Sequence, residues 1–173
     1  MLIVAATERE LAHVRRFETL CCGIGPVEAA ISTARALAQR APDAVLHVGL
    51  AGARGIEPPT LVLGSESVYE DALGLLVPAR VEPDAALLAT VRHALPDALV
   101  LPIGTSAVVG GRSRCDVEAM EGFAVLRACA LAGVPAVELR AVSNAIDEPD
   151  RAKWRFDDAL AVLAHALQRL DVV

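Results

Sequence analysis

Short apolar runs that end in polar residues or glycine, and then pass into helix-like segments, constrain this chain most. Residues 2–6 (LIVAA) lead into Thr7-Glu8-Arg9-Glu10, which has the form of a helix start. Residues 44–48 (AVLHV) are apolar except for His47 and are followed by Gly49. Apolar runs of this length predict strands that are buried on both faces. Their alternation with helices predicts an α/β domain with a parallel or mixed sheet.

The other predicted elements follow the same alternation. Strands are expected at 19–22, 60–63, 66–69, 99–103, 106–109 and 136–143, and helices at 7–17, 26–40, 83–95, 119–132 and 157–170. No repeat, low-complexity segment or linker divides the 173 residues, a length that can bury one core. We therefore expect a single domain over residues 1–173.

Charge and composition exclude several classes of partner. The formal net charge is -6 and no basic stripe is present, so nucleic acid is not an expected partner. No run reaches the roughly 18 apolar residues of a membrane span, and the apolar start lacks the basic leader of a signal peptide. The four cysteines show no zinc-binding spacing. They predict buried free thiols in a cytoplasmic protein, with a catalytic cysteine as the alternative.

Four segments directly follow predicted buried strands. In parallel sheets, ligands bind beyond the carboxyl ends of the strands. The segments expected at that edge are Thr7–Glu10, Gly23–Gly25, Gly49–Gly52 and Ser143–Asn144.

Gly23-Ile24-Gly25 has two interpretations. It matches the start of a dinucleotide-binding fingerprint, but Glu28 stands at the third glycine position. A carboxylate there would face the pyrophosphate that the fingerprint binds. The alternative is a tight turn between a strand and a helix.

Three polar residues each have a structural and a chemical interpretation. Glu10 can complete a capping box with Thr7 or act as a general base, and we expect both roles only if its side chain moves. Glu121 can complement a helix dipole or accept two hydrogen bonds from a sugar diol, with Met120 packing on the sugar. Asn144 can form a turn or offer a donor and an acceptor to a base.

Glu138 and Arg140 alternate with apolar residues in a strand that otherwise suits burial. A buried ion pair is costly unless its hydrogen bonds are satisfied. The pair therefore predicts a structural polar network.

Four motifs occur in an order that resembles the nucleoside phosphorylase and nucleosidase superfamily: residues 23–30, 48–53, 117–122 and 134–144. Within it, the tail at 150–155 is most similar to the futalosine hydrolases of menaquinone biosynthesis. The resemblance implies a three-layer α/β/α fold around a central mixed sheet, in a homodimer or higher homo-oligomer. It also implies cleavage of a ribose–purine bond in a small-molecule nucleoside. We expect no cofactor and no metal.

The resemblance assigns roles residue by residue. Glu10 matches the residue that activates the attacking water, and Met120 and Glu121 match the ribose-binding pair. Asn144 matches the position that binds the purine near N7, where an amide favours hypoxanthine over adenine. The other expected substrate-binding residues are Gly25, Ala51, Gly52, Val108, Val109, Ala119, Ser143 and Phe156.

Two positions bear on the nucleophile. His47 and Leu50 stand where related phosphorylases have an Arg and a Ser that bind phosphate. A neutral imidazole and a leucine cannot replace a bidentate guanidinium, so water is the expected nucleophile. The alternatives are a methylthioadenosine/adenosylhomocysteine or inosine-type nucleosidase, a weakly active nucleoside-binding member of the fold, and a dinucleotide binder.

The chain departs from the family pattern by being shorter after Gly52 and between Gly111 and Val117. Val108 and Val109 stand where family members often have an aromatic residue that stacks on the base. Phe156 and Trp154 could supply that contact, and packing of the last helix is the alternative. The short loop leaves closure over the site open.

Overall fold

The computed structural model describes residues 1–72, 76–110 and 113–170. The strands of these residues are β1 (Leu2–Ala5), β2 (Glu18–Cys21), β3 (Val45–Ala53), β4 (Leu61–Tyr69), β5 (Arg80–Val81), β6 (Leu99–Thr105), β7 (Val117–Ala119) and β8 (Ala136–Ala145). The α-helices are α1 (Glu8–Leu11), α2 (Pro26–Arg40), α3 (Ala85–Ala94), α4 (Gly122–Ala132) and α5 (Phe156–Leu170), with a short 3-10 helix at Arg151–Lys153.

The strands form one mixed sheet, as expected. β3 lies between β1 and β8 and is parallel to both. β8 pairs antiparallel with β4, β4 pairs parallel with β6, and β6 pairs parallel with β7. β7 then pairs antiparallel with the end of β3, so these five strands close into a ring, which the sequence did not predict. The ring brings the carboxyl ends of β3 and β8 against β7.

Helices cover both faces of the sheet, which confirms the three-layer α/β/α class. Leu2 and Val4 of β1 belong to a core cluster shared with α2 and α4, whereas Ile3 and Ala5 belong to the cluster shared with α3 and α5. Alternate side chains of a strand point to opposite faces, so a strand buried on both faces must be apolar throughout. The LIVAA run therefore has the composition that its position requires.

One strand is longer than predicted, and one predicted strand does not form. β3 continues through Gly49–Gly52 to Ala53, so the glycines lie inside a strand instead of a turn after it. A side chain at Gly49 would overlap Arg140 and Glu10, which explains why glycine occupies this buried strand position. The strand expected at 106–109 is absent, because β6 ends at Thr105 and Asp71 binds Ser106 and Ala107 in a turn.

The bounds of two helices and of one strand also differ from the prediction. The first helix ends at Leu11 and not near Phe17, and α4 begins at Gly122 because Val117–Ala119 forms β7. Glu118 is therefore a strand residue and not part of a helix start. The two strands expected on either side of Gly64 are one strand, β4, with a register shift between Gly64 and Glu66.

The short connection before β7 is held by two carboxylates. Glu118 accepts hydrogen bonds from the backbone N–H groups of Gly110 (3.0 Å) and Ser113 (3.1 Å). Glu70 accepts from the hydroxyl of Ser113 (3.1 Å) and the backbone N–H of Arg114 (2.9 Å). Gly111 and Arg112, at the start of the segment expected to be shortened, lie outside the described residues.

Gly122→Ala should destabilise the protein. An added Cβ would overlap the carboxylate of Glu138, which is buried and held by Arg140 and Ser67. Replacing glycine by alanine in a helix normally stabilises by about 0.5–1 kcal/mol. Here we expect a loss of about 1–3 kcal/mol in the free energy of unfolding, measured by urea denaturation.

The exposed Ala130→Gly variant in the same helix calibrates the glycine effect, with an expected cost of about 1 kcal/mol. A Gly122→Ala protein more stable than the wild type would contradict the overlap.

Candidate active site

One cavity of about 370 Å³ opens where β3, β7 and β8 meet. Ligand sites in proteins occupy about 300–1,000 Å³, so this cavity can hold a nucleoside-sized molecule. All four segments expected at the sheet edge contribute to it. The lining residues are Ala6, Thr7, Arg9, Glu10, Ile24, Leu50, Ala51, Gly52, Val109, Gly110, Glu118, Ala119, Met120, Glu121, Arg140, Ser143, Asn144, Ile146, Arg151, Trp154, Phe156 and Leu160.

Glu10 lines this cavity and also completes the capping box. Its Oε2 accepts from the backbone N–H (2.9 Å) and the hydroxyl (2.7 Å) of Thr7, and its Oε1 accepts from Leu50 N–H (3.1 Å). A carboxylate offers about four lone-pair positions, and these bonds use three. Among the described residues, one lone-pair position of Oε1 is unfilled while the cap is intact, so both roles of Glu10 are geometrically compatible without movement of its side chain.

Glu121 lies at the entry to α4 and is buried. Its Oε1 accepts the Gly25 N–H at 3.0 Å, and its Oε2 lies 3.5 Å from Nη1 of Arg140. Burial raises the pKa of Glu121, and the positive charge of Arg140 opposes the rise. Gly25 therefore holds Glu121 in place, although Gly25 is not itself among the lining residues.

Arg140 is the best-connected charge in the site and is 1% exposed. Its Nε donates to Glu138 Oε1 at 2.8 Å, and its Nη1 lies 3.4 Å from the carbonyl of Leu50. Burial alone would lower its pKa, but the carboxylates of Glu138 and Glu121 raise it. The network predicted for Glu138 and Arg140 is present, and it extends to the cavity.

His47 is fully buried in β3 behind Arg140, and it is not a cavity-lining residue. Its Nδ1 lies 3.0 Å from the carbonyl of Val4, which can only accept, so Nδ1 carries the hydrogen. Its Nε2 then accepts from Nη2 of Arg140. Burial and the charge of Arg140 lower the pKa of His47 well below its ordinary value.

Asn144 ends the buried part of β8 at the cavity. Its Nδ2 donates to the Ala145 carbonyl at 2.8 Å, and its Oδ1 lies 2.8 Å from the hydroxyl of Ser143. A side-chain amide has two N–H donors and two acceptor lone pairs. Among the described residues, one donor and one acceptor position of Asn144 thus remain for a ligand.

The aromatic residues of the site come from the chain after β8. Trp154 and Phe156 both line the cavity, with ring centroids 5.3 Å apart. The indole N–H donates to the Glu148 carbonyl at 3.0 Å, and Arg151 lies over the ring. Val109 lines the cavity, whereas Val108 is 44% exposed and does not.

Two interpretations that the sequence left open lose support. Glu28 lies beside Gly23, and the amide of Gly25 is taken by Glu121, so a pyrophosphate would meet a carboxylate and lack the Gly25 donor. No cysteine is among the described lining residues. Cys22 and Cys129 are buried free thiols as expected, but Cys21 is exposed and Cys115 is partly exposed.

Comparisons with known proteins identify the family. The family model described as the phosphorylase superfamily matches residues 12–173. The chain belongs to this superfamily.

Individual members agree with this assignment. The futalosine hydrolase of Streptomyces coelicolor is 36% identical, covering 89% of this chain and 78% of its own. A 5'-methylthioadenosine/S-adenosylhomocysteine nucleosidase of Actinobacillus succinogenes is 31% identical over 82% and 73%. The native structure of the Helicobacter pylori futalosine hydrolase superposes with a TM-score of 0.89 at 16% identity, covering 99% of this chain and 97% of that one. That structural match shows the shared fold.

The sequence did not predict Arg140, Glu118 or Ile146 as cavity residues. Arg140 was visible as a charge in an apolar strand, and its alternation with Glu138 was the available signal. The helix expected from residue 119 left no strand before it, which hid the position of Glu118 on β7 beside Gly52. Ile146 follows Asn144 after the strand and carries no chemical signal.

Among the described helices, none is long and apolar enough to cross a bilayer.

His47 should make the protein less stable in acid. Because its folded-state pKa lies below the ordinary 6.5, only the unfolded chain takes up this proton as the pH falls below 6.5. The wild type should lose about 1 kcal/mol relative to His47→Gln between pH 6.5 and 5.5, and about 1.4 kcal/mol per pH unit below pH 5.5 while the folded imidazole stays neutral, measured by urea denaturation. Above pH 7.5 the difference should be constant.

His93→Gln, at an exposed position of α3, gives the baseline for removing a histidine. A wild-type minus His47→Gln difference that does not change from pH 7.5 to 5.5 would contradict the lowered pKa, because it would mean that the imidazole takes up its proton at the same pH in the folded and unfolded chain.

Proposed function

We propose that this protein hydrolyses the N-glycosidic bond of futalosine and releases hypoxanthine and dehypoxanthinylfutalosine, a step of menaquinone biosynthesis. The protein is an N-glycosyl hydrolase of the phosphorylase superfamily, with futalosine hydrolases at 36% and 34% identity over 89% of the chain. The observation that carries the proposal is the convergence of Glu10, Glu121 and Asn144 on one cavity of about 370 Å³.

The bond to be broken defines what the site must supply. Cleavage of C1'–N9 creates cationic character on the ribose and negative charge on the departing purine. An enzyme accelerates this step by groups that stabilise both charges more strongly in the transition state than in the substrate. It must also place a water on the face of the sugar opposite the base.

Each proposed catalytic group suits one of these tasks. Glu10 takes the proton of the water through the lone-pair position that its helix cap leaves on Oε1. Glu121 accepts hydrogen bonds from the hydroxyls of the ribose and stabilises the cationic character of the sugar. Met120 packs against the sugar. Asn144 hydrogen-bonds the departing purine with its remaining amide donor and acceptor positions.

The remaining predicted substrate contacts are also proposals. Ala51, Gly52, Val109, Ala119, Ser143 and Phe156 line the cavity beside the catalytic groups. Gly25 acts through its bond to Glu121. Val108 has no supporting contact with the cavity.

Water is the proposed nucleophile because the position that would bind phosphate is apolar. Leu50 contributes a hydrocarbon side chain to the cavity, and His47 faces away from it into Arg140. Arg140 itself is bound by two carboxylates. A phosphate dianion would have to displace one of them at a buried position.

The runner-up is a nucleosidase acting on methylthioadenosine or adenosylhomocysteine, which the 31% identical relative supports. Those enzymes resemble this chain but carry Asp at the position of Asn144. An amide cannot deliver a proton to N7 of adenine, whereas its N–H can bind the O6 of hypoxanthine. Asn144 therefore favours hypoxanthine over adenine.

An inosine-type nucleosidase or a weakly active nucleoside-binding member of the fold would use the same cavity, and the substrate panel below separates them.

We also propose a single-domain, cytoplasmic protein that forms a homodimer or a higher homo-oligomer. All four cysteines are free thiols, as in a reducing compartment. Ile24, Val27 and Ile31 are 61–66% exposed, and Ile24 also lines the cavity, so a second copy would cover apolar surface there. A monomer in sedimentation equilibrium would exclude the oligomer.

Base release from a substrate panel tests the function. The protein is incubated with futalosine, methylthioadenosine and inosine, with and without phosphate, and free base is followed by chromatography. We expect hypoxanthine from futalosine at a rate that phosphate does not change. Adenine release alone would favour the runner-up, hypoxanthine from inosine alone would favour the inosine-type enzyme, and no release with a thermal shift would favour the binding member.

Glu10→Gln should fold and bind substrate but lose at least about 10²–10⁴-fold in kcat. Glutamine can replace glutamate in a capping box, but its NH2 group would face the Leu50 N–H instead of accepting from it. We therefore expect a folded protein whose melting temperature is lowered by the loss of about one hydrogen bond. Glu8→Gln, at an exposed position of the same helix, is the matched control and should retain activity. Wild-type turnover by Glu10→Gln would refute the assignment of Glu10.

Asn144→Asp should shift base preference. An aspartic acid can protonate N7 of adenine. Once it is ionised, it cannot donate a hydrogen bond to O6 of hypoxanthine. We expect the ratio of kcat/KM for futalosine to that for methylthioadenosine to fall by about tenfold or more, the equivalent of one hydrogen bond. An unchanged ratio, with the variant folded, would remove Asn144 from base recognition.

A further inference from the structure

We propose that His47, although it lies outside the cavity, is a positioning residue for catalysis. Its unprotonated Nε2 holds the guanidinium of Arg140 so that the Nη1 edge of the guanidinium faces Glu121 and the ribose of the substrate. The inference rests on the proposed function, because the ribose is part of the substrate assigned there.

The first step is the fixed orientation of the imidazole. His47 lies in the middle of β3, opposite Val4 of β1 and Glu138 of β8, and is fully buried. The Val4 carbonyl, 3.0 Å from Nδ1, can only accept a hydrogen bond. The ring therefore presents a lone pair at Nε2, and this lone pair meets Nη2 of Arg140.

The second step is the division of the donors of Arg140. Nε donates to Glu138, Nη2 donates to His47, and Nη1 lies 3.4 Å from the Leu50 carbonyl and 3.5 Å from Glu121 Oε2. Glu121 and Leu50 line the cavity, whereas Glu138 and His47 do not. Thus Nη1 is the edge of the guanidinium on the cavity side, and the other two nitrogens anchor it from behind.

The third step is the effect of losing one anchor. A guanidinium is a planar group with donors in a fixed fork, so a change at Nη2 moves Nη1 as well. Without His47, the buried Nη2 has no acceptor from β3. The guanidinium is then stabilised by turning until Nη2 donates to another oxygen. The cavity-side contact with Glu121 is already the longest of the four at 3.5 Å, so it is the contact most easily lost.

The chemistry of the buried site supports a neutral acceptor at this position. Burial and the charge of Arg140 lower the pKa of His47, so the ring keeps its lone pair near neutral pH. A carboxylate there would add a third anion around one guanidinium, with Glu138 and Glu121. An imidazole binds the guanidinium and leaves its positive charge for the cavity side.

Two isosteric variants separate the two bonds of His47. The amide of asparagine overlays Nδ1 of a histidine and reaches Val4, but it is too short for Arg140. The amide of glutamine overlays Nε2 and reaches Arg140. Val48→Ala, a buried neighbour on β3 in the cluster beneath α5, is the control for a general loss of stability.

The measurement is kcat/KM for futalosine and for 2'-deoxyfutalosine, each relative to the wild type. His47→Asn should lose about 10–100-fold on the ribonucleoside, the value of one charged hydrogen bond, and less than about threefold on the 2'-deoxy substrate. His47→Gln should recover most of the loss. Val48→Ala should change both substrates equally.

Affinity provides a second readout that does not need turnover. The preference for inosine over 2'-deoxyinosine in calorimetric binding should weaken in His47→Asn and persist in His47→Gln. Equal losses on the ribo and 2'-deoxy ligands, or equal behaviour of the two variants, would overturn the inference. If the wild type binds nucleosides but does not cleave futalosine, the proposed function fails and the binding comparison still decides the role of His47.

Discussion

The buried guanidinium of Arg140 is the interaction on which the rest of this site depends. A cation that is 1% exposed would be strongly destabilising without close partners, and replacing any one of them leaves a buried N–H donor of the guanidinium without its acceptor. Its partners come from three parts of the chain: Glu138 from the same strand, Glu121 from the start of α4, and His47 from β3. The requirement for space around this group explains glycine at two further positions. A Cβ on Gly49 would overlap the guanidinium, and a Cβ on Gly122 would overlap the carboxylate of Glu138.

The same network determines which charges a ligand meets. Arg140 faces the cavity beside Glu121, and the nearby Glu10 is acceptor-only when ionised. The depth of the cavity thus suits hydroxyl groups and a positively charged sugar better than an anion. The other described arginines of the lining, Arg9 and Arg151, are exposed residues, and Arg9 is already paired with Asp157 at 2.6 Å. A site built in this way favours a neutral nucleophile, and the buried His47 adds no positive charge to it.

The sequence predicted the layers of the fold and the edge where the site lies, because both follow from local pattern. Apolar runs such as LIVAA predict buried strands, and Pro26 correctly marks the first residue of α2. What depends on distant contacts could not be predicted in the same way. Gly49–Gly52 looked like a turn, but it is strand because it pairs with residues 140–144 of β8, far along the chain. Arg140 itself was predicted as structural, since the alternation of charges does not show that one edge of the side chain faces a cavity.

The apolar surfaces that line the cavity indicate which part of the chain can cover a base. Val108 does not line the cavity, and Val109 offers only a small apolar surface. The chain after β8 supplies larger surfaces, since Trp154 is oriented by the Glu148 carbonyl and contacts both Arg151 and Phe156. An indole held in this way loses little conformational freedom when a planar ligand binds, because its orientation is already fixed. Gly110 and Ser113, the described residues on the other wall, are also held by Glu118 and Glu70. The described parts of both walls are therefore held in place before a ligand arrives, so Trp154 and Phe156 can contact a base without movement of the chain before β7.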